Sequence, residues 1–159
     1  MTIDEISDYL ESLGGVLVLV PEPGDGSPEI SWGDRFFYYA PTGVVPNTQP
    51  FATIVTKDYP DDRGSRLDRP DTFRVNVSVR ADRFAVLVGH TAEERAAAST
   101  DPSAADVVMP HPVYADQNWI AIVNPGHRTD LLLVDLLRSA HTSARGRYER
   151  RMAMGNPDS

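Results

Sequence analysis

The chain has 159 residues, enough for one domain with a continuous core that needs neither disulfides nor a structural metal to hold it. It contains no cysteine, which excludes a disulfide framework, thiolate metal sites and thiol nucleophiles together. A formal net charge of −8 disfavours a general nucleic-acid binder, whose affinity comes from neutralised phosphates.

The charge is uneven: residues 1–62 carry 11 acidic and 2 basic side chains, whereas residues 127–159 carry 4 and 6. Met1-Thr2-Ile3-Asp4-Glu5 is acidic where a signal peptide would begin with basic residues. No apolar run approaches the roughly 18 residues that span a membrane. A cytoplasmic protein with no membrane partner is therefore the expectation.

Thr2 and Glu5 have the spacing of a capping box, and Ile3, Ile6, Leu10 and Leu13 recur at helical intervals up to Gly14-Gly15. This predicts an amphipathic helix over 3–13 with Asp4, Asp8 and Glu11 facing water. The continuous apolar run 16–20 predicts a strand buried on both faces or nearly so. Residues 21–31, rich in Pro, Gly and acids, read as a loop. Gly33-Asp34 marks a turn or bulge before a second strand at 35–39, and residues 51–56 form a third. The charged stretch 57–70 reads as an exposed connection. Strict alternation over 73–79 predicts a strand with one face in the core and Arg74, Asn76 and Ser78 on the other.

A short helix follows Asp82 and ends at Gly89, and residues 91–106 read as a mobile excursion with little apolar face. Residues 109–118 form a proline-bounded turn around His111 that feeds a strand at 119–123. The break at Asn124-Pro125-Gly126 launches a helix from about Thr129, with Leu133, Leu136, Leu137, Ala140, Ala144 and Tyr148 on one face. Leu131, Leu132 and Val134 widen that stripe, so its first turns are expected to be buried on more than one side. Gly146 is expected to fray or stop the helix, at a cost of roughly 1 kcal/mol in its interior. Residues 152–159 read as a disordered tail after a single domain over 1–151. The order of elements lacks regular βαβ alternation, so the fold class is α+β: an antiparallel sheet of about five strands with the N- and C-terminal helices on one face.

The pieces Gly33-Asp34-Arg35-Phe36-Phe37-Tyr38-Tyr39, Pro50-Phe51-Ala52-Thr53-Ile54-Val55, Leu67-Asp68-Arg69-Pro70-Asp71-Thr72-Phe73-Arg74-Val75-Asn76-Val77, His111-Pro112-Val113-Tyr114-Ala115 and Asn118-Trp119-Ile120 to Asn124-Pro125 carry a resemblance. They resemble an uncharacterised bacterial domain family that in turn looks like a branch of the YjbR/MmcQ-like proteins, over nearly the whole chain. The resemblance implies a frataxin-like (CyaY-like) fold and raises DNA binding as a possible role, with no catalytic motif to carry over. The chain departs from a DNA-binding version in its acidity.

Six residues of the matched pieces form the candidate ligand site: Arg69, Arg74, Asn76, His111, Tyr114 and Trp119. Prolines on both sides hold His111 in one direction. Guanidinium forks suit carboxylates and phosphates, although the bland reading has Asp68 or Asp71 pairing Arg74 in a salt-bridged rim. His111 beside Asp116 offers an acid/base pair; the bland alternative is a ring that caps a carbonyl. Arg145, Arg147, Arg150 and Arg151 are the one basic cluster, available to nucleic acid but also suited to the negative end of a helix. The four His are widely separated, His127 and Asp130 are a lone pair, and no phosphate loop or nucleophile elbow is present, so neither metal nor cofactor is called for. The preferred expectation is a non-catalytic domain for an unknown small molecule or protein partner, with a DNA-binding protein and an enzyme using His111 as alternatives. It requires His111 and Arg74 to lie closer than about 15 Å.

Overall fold

The computed structural model describes residues 1–97 and 101–155. Its elements are α1 (Ile3–Ser12), β1 (Val16–Leu19), β2 (Arg35–Tyr39), β3 (Ala52–Val55), β4 (Arg74–Ser78), α2 (Ala81–Val88), α3 (Ala92–Ala97), β5 (Met109–Pro110), β6 (Trp119–Val123) and α4 (Asp130–Ala153). The strands form one six-stranded sheet in the order β1-β2-β3-β4-β6-β5, each neighbouring pair antiparallel. The α+β class and the terminal helices stand as read from sequence. The extra strand is β5, only two residues long and ending in a proline that cannot donate to a ladder, so it reads in sequence as part of the His111 turn.

The pleat sorts side chains onto two faces. One face carries Phe37, Ile54, Val75, Val77, Ile120 and Ile122, covered by Ile6 and Leu10 of α1, Phe84 and Val88 of α2, and Leu133, Leu136 and Leu137 of α4. Burying each such aliphatic side chain contributes about 2 kcal/mol. The capping box at Thr2 and Glu5 is formed, each side chain accepting the other residue's backbone N–H in water. Packing of Ile6 and Leu10, which are fully buried, holds α1 to the sheet.

Several expectations change. β1 lies at the sheet edge, half-buried and not enclosed on both faces, because an apolar run alone does not say whether a neighbour covers it. Leu131 is 89% exposed and does not widen the stripe, whereas Leu132 is half-buried and packs against the core beside Leu133. The helix passes through Gly146 to Ala153, held beyond the glycine by Tyr148 packed edge-on against Tyr39. Met152 and Ala153 of the expected tail are thus helical, and residues 156–159 lie outside the described residues. In the expected excursion, residues 92–97 are helical and 98–100 lie outside the described residues. Residues 101–106 are tethered. Ser103 offers its carbonyl to Arg69, and Asp106 accepts the backbone N–H of Gly126, Arg128 and Thr129 ahead of α4. Burial opposes ionisation of Asp106, yet those donors and the Thr129 hydroxyl prevail and hold its carboxyl at about 2. Among the described residues no helix is long and apolar enough to cross a membrane.

The connection 57–70 is the largest correction. It folds back over the second face of the sheet instead of standing in solvent, and it buries Ser65 and Leu67. Its near end is anchored by Asp34, which is fully buried. Asp34 accepts from the Thr56 backbone and hydroxyl at 2.8 and 2.9 Å, from Lys57 at 3.2 Å and from the Tyr59 hydroxyl. Burial, then the bond to Asp34 and its charge, push the Tyr59 phenol up. Leu67 then packs with Val55, Met109, Ala121 and Val123 in a small second core.

Candidate functional site

The second face presents Phe36, Tyr38, Thr53, Val55, Arg74, Asn76 and Trp119 to a cavity of about 510 Å³. Tyr59 and Asp62 of the 57–70 connection wall one side, and His111, Val113, Tyr114 and Gln117 of the proline-bounded turn wall another. Alternation placed Arg74 and Asn76 on this face, but they are 1% and 2% exposed, because the connection roofs them. A buried guanidinium needs partners for five N–H groups. Nε donates to Asn76 Oδ1 at 2.8 Å, and Nη1 donates to Asp62 Oδ1 at 3.0 Å and Ser65 Oγ at 2.9 Å. Nη2 donates to Asp62 Oδ2 at 2.5 Å. Asn76 passes the chain on, its amide donating to Thr53 Oγ1 at 2.9 Å. Arg74 therefore pairs with Asp62, not with Asp68, whose carboxylate accepts the Asp58 backbone N–H, nor with Asp71, whose backbone carbonyl accepts from the Asn124 amide. Burial alone would push the Asp62 carboxyl up; Arg74 outweighs it and holds the group below the usual carboxylate range.

The fifth Arg74 donor, on Nη2, faces His111 Nε2 at 3.3 Å. The orientation of that imidazole is set by the turn. His111 N–H donates to the Trp119 carbonyl at 2.9 Å, and Asn118 in the left-handed region (φ 63°) reverses the chain. His111 Nδ1 then accepts two backbone N–H groups, from Val113 and Tyr114, each at 3.0 Å. An Nδ1 that accepts two donors carries no proton, so the neutral ring carries its proton on Nε2. In that tautomer Nε2–H and Arg74 Nη2–H meet as two donors 3.3 Å apart, and among the described residues no third group accepts from both. Burial first, and then the Arg74 charge, lower the His111 pKa to about 4, with Asp62 opposing only in part. The imidazole is uncharged at neutral pH. The bland sequence reading, a ring capping a carbonyl, is replaced by a ring capping two amides.

Of the six sequence-derived residues, five gather here. Tyr114 stacks at a tilt on His111, with ring centroids 4.9 Å apart, and Trp119 is 7% exposed at the cavity wall. Arg69 does not join them. Its guanidinium donates to the carbonyls of Arg66, Ser65 and Ser103, so it straps the connection to residues 101–106 and borders a different depression. Asp116 is exposed and shares no hydrogen bond with His111 among the described residues, so the acid/base pair read from sequence is not assembled. The basic cluster divides: Arg145 is taken by Glu149 at 2.8 Å, while Arg147 and Arg151 border a neighbouring cavity. Asp4, Asp8 and Glu11 are exposed on α1, with Asp4 paired to Arg35. Among the described residues no three His, Asp or Glu side chains gather as metal ligands would.

Sequence reading missed Asp62, Ser65, Thr53, Phe36 and Tyr38. Phe36 and Tyr38 sit in the run Phe36-Phe37-Tyr38-Tyr39, where both faces are aromatic and the period of two is hidden. Asp62 carried no signal, since one acid in a charged loop does not reveal which arginine it meets.

Residues 1–153 match the profile of DUF6194, a family of unknown function. The chain belongs to that family. No curated protein and no solved structure matches it. The family match covers the site described above, from β2 through the His111 turn, and reaches no further than an uncharacterised α+β domain.

Proposed function

We propose that this DUF6194 chain is a non-catalytic, cytoplasmic small-molecule-binding domain whose ligand rests on the second face of the sheet. Its ligand would place a carbonyl-type oxygen beside the pair, within reach of both His111 Nε2–H and Arg74 Nη2–H. The observation that carries the reading is the pair of convergent donors 3.3 Å apart without a shared acceptor. A buried donor left unmatched costs about 1–3 kcal/mol, a cost that a bound acceptor would relieve. The floor holds donors but no net charge, because Asp62 balances Arg74 and the imidazole is neutral. A neutral acceptor suits it better than a free anion. Phe36, Tyr38, Tyr59, Tyr114 and Trp119 offer flat apolar walls for a ring.

Two alternatives are less well supported. General-base catalysis by His111 would need a free ring lone pair, and Nδ1 is already shared by two amides. DNA binding of the YjbR/MmcQ type would rest on the α4 arginines, one of which is neutralised by Glu149, within a chain of net charge −8. Benzamide and acetanilide, each a ring with one neutral carbonyl, are suitable probes. On titration into the 15N-labelled protein, we expect the His111 Nε2–H and Trp119 indole resonances to move together while His111 Nδ1 stays constant. A set of such probes that leaves both resonances untouched would sink the proposal.

A further inference from the structure

A second cavity of about 340 Å³ adjoins the first, and the two share Gln49, Pro50, Gln117 and Trp119 in their walls. Its character differs. Among the described residues no carboxylate lines it, and its charged wall is Arg147 and Arg151, one turn apart on α4. Two other α4 arginines are paired, Arg138 with Asp135 and Arg145 with Glu149, each at 2.8 Å, whereas Arg150 is exposed and lines neither cavity. Among the described residues neither Arg147 nor Arg151 makes an ion pair, and Arg151 Nε is buried without a hydrogen-bond partner. Burial, then the like charges of Arg151 and Arg150, lower the Arg147 pKa. The negative end of a helix dipole accounts for arginines near a C-terminus. It does not account for a guanidinium whose Nε is enclosed beside a cavity and left without an acceptor.

We propose that this second cavity is the anion subsite of the same ligand. In it Arg147 and Arg151 would hold a phosphate or carboxylate group, while the ring lies against Trp119 with its carbonyl on His111 and Arg74. The proposal rests on the binding reading above and adds a ligand class to it: a small organic acid or phosphate ester with a ring body. Two guanidinium forks from successive turns suit one oxyanion, which accepts several charge-assisted bonds at once. The division of labour follows from the charges. The main cavity is internally neutral and selects shape and a carbonyl; the adjoining one is cationic and selects the acid.

The test titrates the full chain and its Arg147→Gln/Arg151→Gln double variant with benzamide, 4-carbamoylphenyl phosphate, 4-carbamoylbenzoate, inorganic phosphate and a short DNA duplex. 4-Carbamoylphenyl phosphate or 4-carbamoylbenzoate, each a ring with a neutral carbonyl and an acid group, should bind the unmodified chain about tenfold more tightly than benzamide or inorganic phosphate. Which of the two is favoured decides between phosphate and carboxylate. The double variant should lose that advantage yet bind benzamide unchanged, which also shows that it is folded. If benzamide binds and the acids bind no better, or if the double variant weakens all probes equally, the subsite is wrong and the binding reading stands. If no ring compound moves the His111 resonance, the binding reading itself has failed. Tighter retention of duplex DNA than of any small acid, lost in the double variant, would overturn the subsite in favour of nucleic acid.

Discussion

Arg74→Met is expected to destabilise the protein by about 3–5 kcal/mol, the range for removing one partner of a buried ion pair. Methionine fills much of the same volume, so lost packing is a small part of the effect. The larger part is what remains: a half-buried Asp62 carboxylate without its counter-ion, an Asn76 Oδ1 without its donor and a Ser65 hydroxyl with one partner fewer. The chain has one escape, to lift residues 57–70 and rehydrate Asp62. That escape exposes Leu67, which is 2% exposed in the folded state, and strains the Tyr59 anchor on Asp34. Both routes cost several kcal/mol, so neither restores stability. Adding Asp62→Leu removes the stranded charge, and the double variant should recover at least half of the loss. Denaturant midpoints of the three proteins check this; a single variant within about 1 kcal/mol of the parent would mean that the connection is not docked on Arg74.

The second large effect concerns pH. The His111 pKa falls from 6.5 in the unfolded chain to about 4 in the fold, through burial first and the Arg74 charge second. Above pH 6.5 neither state holds the proton and the neutral ring's contribution is complete. Between 6.5 and about 4 the unfolded chain takes up the proton and the folded chain does not, so stability falls as pH drops. Below about 4 both states are protonated and this group adds no further loss. The window amounts to about 3 kcal/mol. His111→Phe should be less stable at pH 7, since the Val113 and Tyr114 amides lose their acceptor, but its stability should decline less steeply from pH 6.5 to 4. Other carboxylates titrate in both proteins and cancel in the difference. Parallel profiles would show that His111 ionises freely in the folded state.

How much was legible beforehand follows physical lines. Local, repetitive signals carried through: the Thr2 and Glu5 capping box, the alternation from Phe73 to Val79, and the proline pair that fixes His111. Each is written within a few residues, and each set a backbone that tertiary packing then used. What failed was anything set by remote partners. Whether β1 has one neighbour or two, and whether Gly146 ends a helix that Tyr39 is waiting to hold, depends on chain far away in sequence. The site shows the same split. Alternation put Arg74 and Asn76 on one face and the prolines aimed His111, which brought their side chains to 3.3 Å. The roof over them, and the Asp62 that neutralises Arg74, lie in a stretch whose polar composition reads as solvent-exposed. For that reason the sequence suggested an open anion site on Arg74, whereas the fold has a covered and neutral floor, with the unpaired charge next door on α4.

The protonation of one ring decides most. Long-range 15N NMR of the His111 imidazole in the free protein should find Nδ1 bare and Nε2 protonated, unchanged between pH 8 and about 5. A neutral ring with its proton on Nδ1 would mean that the two backbone amides do not cap it and that no second donor faces Arg74; a charged imidazolium at pH 7 would contradict both the capping and the neutral floor.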